Sequence, residues 1–366
     1  MGDAELVERV DRGLHDLQVG VAPHDDPDHR RTISSHTLTL ASRPMLKTRL
    51  TEMLGIEHPV MLAGMGGVSY HRLTAAVSEA GGFGCLGAGA MTSDEMVDEI
   101  RKVKELTSKP FGVDLLTALP DQMLRNVELL IAEGAPVFVA ALGVPSEVID
   151  LCHSNNVLVV NMCGKVRHAV AAVEAGCDLV VAQGTEAGGH TGLVATMPLV
   201  PQIVDAVGER VPVVAAGGIF DGRGLAAALM LGADGVWVGT RFIATPEARS
   251  APGYKDTLLA TGEDGTVVSR AFSGKPMRVV RNKTTQHYEE HPEELKPFPE
   301  QLMVATGGGF LHLPEGDGAK NVDPERECYP AGQGVGAIDE LTPAADLVHQ
   351  FIEEAERALA RSVGAS

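Results

Sequence analysis

Residues 179–192 read Leu-Val-Val-Ala-Gln-Gly-Thr-Glu-Ala-Gly-Gly-His-Thr-Gly: an apolar run that ends in a loop holding four glycines and one histidine. Apolar residues in succession, without polar alternation, mark a strand buried on both faces, as in a parallel sheet covered by helices. Glycines let main chain approach a flat ligand closely. His190, at the centre of the loop, is the side chain whose ordinary pKa suits proton exchange near neutrality.

Outward from this stretch the same unit recurs. Short apolar strands are predicted at 59–63, 83–88, 111–115, 136–141, 157–161, 179–182, 212–216 and 235–238. Helices are predicted between them at 70–80, 93–106, 120–133, 146–154, 165–175, 197–207 and 222–231. Gly81-Gly82 closes the first of these, and Thr92 or Ser93 caps the second. Ala175-Gly176-Cys177-Asp178 and Leu231-Gly232-Ala233-Asp234 echo each other before the sixth and eighth strands, as helix-ending glycines that feed a strand. Eight consecutive strand–helix units favour α/β architecture of the closed (β/α)8 TIM-barrel kind over an open doubly wound sheet.

Two regions stand outside this rhythm. Residues 1–45 form a polar N-terminal extension, with an amphipathic helix pattern at 4–17 and a solvated His/Asp-rich stretch at 24–31. Residues 46–366 are read as one barrel domain that includes an irregular region at 246–340, rich in Pro, Gly and charge, and a closing helix at 343–363. The irregular region is expected to pack over one end of the barrel.

The 366-residue chain is 44% hydrophobic, enough for a sizeable core, and its net charge of −19 argues against nucleic acid and anionic membrane surfaces as partners. Five scattered cysteines without CxxC spacing, no signal-peptide pattern and apolar runs far below the ~20 residues of a membrane span point to a reduced, cytoplasmic protein. No metal is expected.

Several motifs bear on chemistry. Gly82-Phe83-Gly84-Cys85-Leu86-Gly87 matches the dinucleotide fingerprint, but it runs from a helix end through a strand instead of from a strand into a helix, so that reading is rejected. Gly217 and Gly218 follow the seventh strand, and Gly239 and Thr240 follow the eighth. In β/α barrels these loops commonly hold phosphate on backbone N–H groups, so a phosphate-bearing cofactor is expected there. Ala63-Gly64-Met65-Gly66-Gly67 ends the first strand, where Gly64 and Met65 are candidates to line an apolar pocket above a flat ring. Asp114 ends the third strand within reach of a ligand. Lys165, after the fifth, is placed either to offset a cofactor's charge or simply to start a solvated helix. Glu186 is read as orienting backbone amides or a helix, not as catalytic.

At these residues the sequence resembles the nitronate monooxygenase family, formerly 2-nitropropane dioxygenases. The resemblance lies in 59–67, 112–115, 183–192 and 213–245, with a weaker echo at Ala331-Gly332-Gln333-Gly334, and leaves the first 45 residues uncovered. It implies a TIM barrel with non-covalent FMN at the C-terminal face. Gln183, Gly188, Gly218, Trp237, Val238, Gly239 and Thr240 match flavin-contact positions, with Gly218, Gly239 and Thr240 at the phosphate, and His190 matches the catalytic base; the adjacent Gly189 and Gly217 are candidate cofactor contacts. The family commonly has Asn where this chain has Asp114. The implied reaction oxidises a nitroalkane or nitronate with O2 to a carbonyl compound and nitrite, in a monomer or homodimer. The same loop string occurs in flavin-dependent enoyl-acyl-carrier-protein reductases and in certain NAD(P)H:quinone reductases, which is the alternative reading. A flavin-binding protein without turnover is the third. A barrel like that of inosine-monophosphate dehydrogenase would need a cysteine in the sixth loop, and residues 184–195 contain none.

Overall fold

The computed structural model describes residues 46–362, apart from 118, 119, 142, 144 and 314. The amphipathic pattern at 4–17 and the His/Asp stretch at 24–31 therefore lie outside the described residues.

Eight parallel strands form the barrel: Val60–Leu62, Gly84–Gly87, Phe111–Leu115, Val137–Ala140, Leu158–Cys163, Leu179–Gln183, Val213–Ala216 and Gly235–Val238. Each pairs with its neighbour in sequence from the second to the eighth, and the eighth pairs with the first in the register Val60 to Val236 and Leu62 to Val238. The first and second strands close the ring through a parallel bridge between Met61 and Phe83. There Leu62 N–H donates to the Phe83 carbonyl at 2.8 Å and Phe83 N–H to the Val60 carbonyl at 2.9 Å.

Strand geometry sends successive side chains to opposite faces, so each strand feeds two cores. Met61, Ala63, Phe83, Cys85, Val139, Val181 and Trp237 fill the barrel interior. Val60, Leu62, Leu86, Val113, Val180, Val213 and Val238 face the helical jacket. Because both faces are apolar, the strands lack polar alternation. Burial of each such Val, Leu or Phe stabilises by about 1.5–3 kcal/mol relative to exposure.

The helices follow from caps and apolar spacing. Thr92 accepts the Glu95 N–H at 3.2 Å to start Ser93–Leu106, which buries Met96, Ile100 and Val103 on one face. Asp221 accepts from the N–H groups of Arg223 and Gly224 to start Gly222–Met230. The closing helix Ala344–Ser362 packs on that helix, burying Leu347, Val348, Phe351 and Ile352, and its Glu354 accepts the Gly222 N–H at 2.9 Å.

The irregular region has more order than its composition suggests. Thr266–Ser269 and Met277–Val280 form an antiparallel hairpin, followed by helices Lys283–Glu290 and Glu300–Gly307. Ala271, Phe272, Val279, Ala305, Phe310 and Cys328 give it a core of its own. Gly189–His190, expected to be loop, joins the hairpin as a third, two-residue strand: Met277 pairs with His190 and Arg278 with Gly189. No local pattern announces a strand that short. Two of the dismissed fingerprint's three glycines, Gly84 and Gly87, lie in the second strand, where Gly84 packs against the main chain of Thr74, and Gly82 precedes the strand. No helix among the described residues is long and apolar enough to cross a membrane.

Candidate active site

Parallel strands in a barrel all point the same way, so loops separated widely in sequence gather at one mouth. Gly64 and Met65, Asp114, Lys165, residues 183–190, Gly217-Gly218 and Gly239-Thr240 all sit at or just beyond C-terminal strand ends.

Gly217 and Gly218 have φ of 106° and 72°, a left-handed turn that a side chain would strain by about 1–3 kcal/mol. Among the described residues, the N–H groups of Gly217, Gly218, Gly239 and Thr240 donate to no protein acceptor. Four such donors beside a threonine hydroxyl suit a phosphate, and Thr240 Oγ1 already accepts the Gly332 N–H at 2.9 Å. The chain echo at 331–334 thus arrives at this spot, since Gly188 packs against Ala331 and Gly332 and the Gln333 N–H donates to the Glu186 carbonyl at 2.9 Å.

Glu186 ties the loop to the start of the next helix. Its carboxylate accepts the Thr196 N–H at 2.9 Å and the Thr196 hydroxyl at 2.9 Å, capping helix Thr196–Val207. This agrees with a structural role. Gln183 Nε2 donates to the His190 carbonyl at 3.0 Å, so its amide steadies the loop that presents the histidine.

His190 lies at the exposed mouth, with Nε2 at 2.8 Å from Ser273 Oγ. Ser273 is buried and its Oγ also lies 3.3 Å from both the carbonyl and the N–H of Lys275. With the serine proton directed to the Lys275 carbonyl, Oγ accepts from Nε2–H and leaves the Nδ1 lone pair for a substrate. Surrounding protein, and next the Lys275 charge, lower the His190 pKa from its ordinary value, which favours neutral imidazole near pH 7. Arg278 binds the Thr185 carbonyl at 3.0 Å and so ties the hairpin to the same loop. Ser273, Lys275 and Arg278 escaped the sequence reading, because they come from a segment without strand–helix rhythm. No signal in the sequence points to them, because their nearness to Gly189 and His190 is spatial only.

The remaining candidates occupy different parts of the mouth. Met65 reaches toward Gly239, and Trp237 fills the barrel interior beneath them. Val238 turns its side chain to the helical jacket, so only its main chain faces the rim. Lys165 is half-buried at the N-cap of helix Val166–Glu174. A Cβ on Gly64 would collide with the Asp114 side chain, so the carboxyl rests directly on the first strand's end. All five cysteines are free and buried, and none serves this site as an exposed thiol.

Comparison with known proteins gives this geometry a lineage. The chain is 45% identical over 245 residues to a (3aS,4S,5R,7aS)-5-hydroxy-7a-methyl-1-oxo-octahydro-1H-indene-4-carboxyl-CoA dehydrogenase of Mycobacterium tuberculosis, which spans 67% of this chain and 69% of the relative. The structure of FabK from Thermotoga maritima superposes with a TM-score of 0.79 at 35% identity, covering 87% of this chain and 99% of that one. A nitroalkane oxidase from Streptomyces ansochromogenes does so at 0.74 and 30% identity, covering 86% and 99%. The family model for nitronate monooxygenase matches residues 47–354. That match takes in both the barrel and the hairpin that grips His190, and the chain belongs to the nitronate monooxygenase family of flavin-dependent oxidoreductases.

Proposed function

We propose that this protein is an FMN-dependent enzyme that oxidises a carbon acid with His190 as the base, and that the substrate is a nitroalkane or its nitronate, with O2 as electron acceptor. The observation behind it is the His190–Ser273 pair: an imidazole at the mouth, held through Nε2 by a buried hydroxyl, with its pKa lowered by its surroundings. A nitroalkane's α-proton is acidic because the resulting anion is resonance-stabilised, so a base of lowered pKa is adequate. Lys275, close enough to depress His190, also favours the small anion once formed.

The four undirected N–H groups at 217, 218, 239 and 240 and the Thr240 hydroxyl would hold the FMN phosphate, with Gly64, Met65, Asp114 and residues 183–189 about the ring and Lys165 near its charge. Bound FMN would supply electron transfer between substrate and O2, while the protein positions and moves protons. His190 takes the α-proton of a neutral nitroalkane; toward a preformed nitronate it serves to bind the anion.

A second reading has a specific observation in its favour. The 45% identity to a protein named as a carboxyl-CoA dehydrogenase makes an acyl thioester, whose α-carbon is also acidic, a competing carbon acid for the same base. Anaerobic mixing separates the readings. Bleaching of bound flavin by a nitronate supports the first. Bleaching by an acyl-CoA or by NAD(P)H, with none by nitronate, overturns it in favour of a dehydrogenase or an NAD(P)H-linked reductase. A colourless protein that takes up no FMN removes both.

A further inference from the structure

Asp114 is a titratable group that the base mechanism leaves without a task. Strand alternation decides where it points: Phe111, Val113 and Leu115 face the helical jacket, so Asp114 faces the barrel axis. On that inner face its register partners are Val139 on the fourth strand and Gly87, which carries no side chain, on the second; Cys85, one inward position earlier on the second strand, belongs with Val139 to the apolar interior core. On the first strand it lies against Gly64, where any Cβ would collide with it. Among the described residues its carboxyl accepts no hydrogen bond and no cation stands beside it; the Cys85 thiol is the one titratable group that faces it. A carboxylate left so, without partner or counter-charge, is costly.

We propose that Asp114 works as a neutral carboxylic acid at the barrel mouth, donating its Oδ–H to an acceptor atom of the ring held there. This rests on the FMN reading above. An ionised carboxyl could only accept hydrogen bonds, whereas the acid form donates one. Burial raises its pKa well above the ordinary carboxylate value, which shifts the group toward its acid form, and burial raises the Cys85 thiol as well. A ring seated over the mouth would cover the face of Asp114 that water still reaches and would reinforce the acid form. His190, made neutral by a lowered pKa, and Asp114, made neutral by a raised one, then form a base and a donor whose environments push them apart.

The test is FMN binding to protein stripped of flavin, followed by flavin fluorescence across pH for the native chain, Asp114→Asn and Asp114→Ala. The native chain should lose affinity by roughly tenfold or more as pH rises through the Asp114 pKa, the scale of one charge-sensitive hydrogen bond. Asp114→Asn should keep the low-pH affinity throughout, because its amide still donates, and Asp114→Ala should bind weakly at every pH. Comparison with the Asn variant cancels titration of FMN itself. Infrared difference spectra of the native chain should contain the carbonyl stretch of a protonated carboxylic acid at neutral pH, shifted when FMN binds. Native and Asn proteins with the same pH dependence, or a native spectrum with only carboxylate bands, would overturn the proposal while leaving the FMN reading intact. Failure of all three proteins to bind FMN would instead remove the FMN reading.

Discussion

The two sides of the candidate site are built from different materials. After the seventh and eighth strands the working groups are main-chain N–H donors, set by two left-handed glycines and by strand ends of the closed sheet. At His190 the working groups are side chains, and the partner that orients the imidazole lies 83 residues downstream in a hairpin outside the barrel. The first arrangement uses one side chain, the Thr240 hydroxyl, and is broken by adding a Cβ at its glycines. The second depends on a single hydroxyl and on the antiparallel pairing of Met277 with His190 that brings it within reach. In the proposed reading the barrel offers main-chain donors to a phosphate, and an appended segment positions the one histidine at the mouth.

That contrast can be broken most sharply at its centre. His190→Asn should keep FMN and lose turnover of a neutral nitroalkane by at least ~10²-fold, the scale of a general base, in steady-state assays. It should lose much less with preformed nitronate. Equal losses on the two substrates would assign His190 to binding.

On the main-chain side, Gly217→Ala should destabilise the fold by about 1–3 kcal/mol in denaturant unfolding and weaken FMN binding in parallel. Its φ of 106° is hostile to a Cβ, which would also press on the Thr196 hydroxyl at 2.7 Å. On the side-chain side, Ser273→Ala should lower kcat by about 3- to 10-fold, equivalent to a hydrogen bond of ~1 kcal/mol, with FMN affinity unchanged. A Ser273→Ala protein that loses FMN instead would mean that the hairpin shapes the seat as well as the base.

A subtler effect concerns pH. His190 has a lowered pKa, so the base form persists to lower pH than for an ordinary histidine, and activity falls only as pH drops through that lowered value. Lys275→Met removes one of the two causes and should move the acidic limb of kcat/KM to higher pH. An unmoved limb would leave burial as the sole cause. For Asp114 the sign is opposite. Its folded pKa is raised, so the stability present below the ordinary carboxylate value near 3.9 is lost as pH rises toward the folded pKa. Without FMN, the melting-temperature advantage of Asp114→Asn over the native chain should grow across that window. A constant gap would place the group in a more polar setting.

The strand–helix rhythm survives in the structure to within a residue or two at every barrel element, and residues 111–115 and 235–238 match without adjustment. It was legible because a parallel strand covered on both faces must be apolar throughout, and because caps such as Thr92 mark helix starts locally. Gly217 and Thr240 were legible for the same reason: barrel closure assigns every C-terminal strand end to one mouth. Ser273 was not, since its role depends on a two-residue strand whose pairing energy comes from the hairpin opposite.

Residue order alone brings a recognisable set of groups to the mouth: a histidine among glycines, glycine-bearing loops after the seventh and eighth strands, and a carboxyl at the third strand's end. Short-range patterning and a closed parallel topology suffice for that. Their surroundings are visible only in the folded chain. The Ser273 contact orients His190, the apolar interior and the bare Gly64 surface leave Asp114 without a partner, and Thr196 engages Glu186 as a helix cap. Protonation and orientation are set by what surrounds a group within a few ångströms, and those neighbours come from segments far apart in the chain.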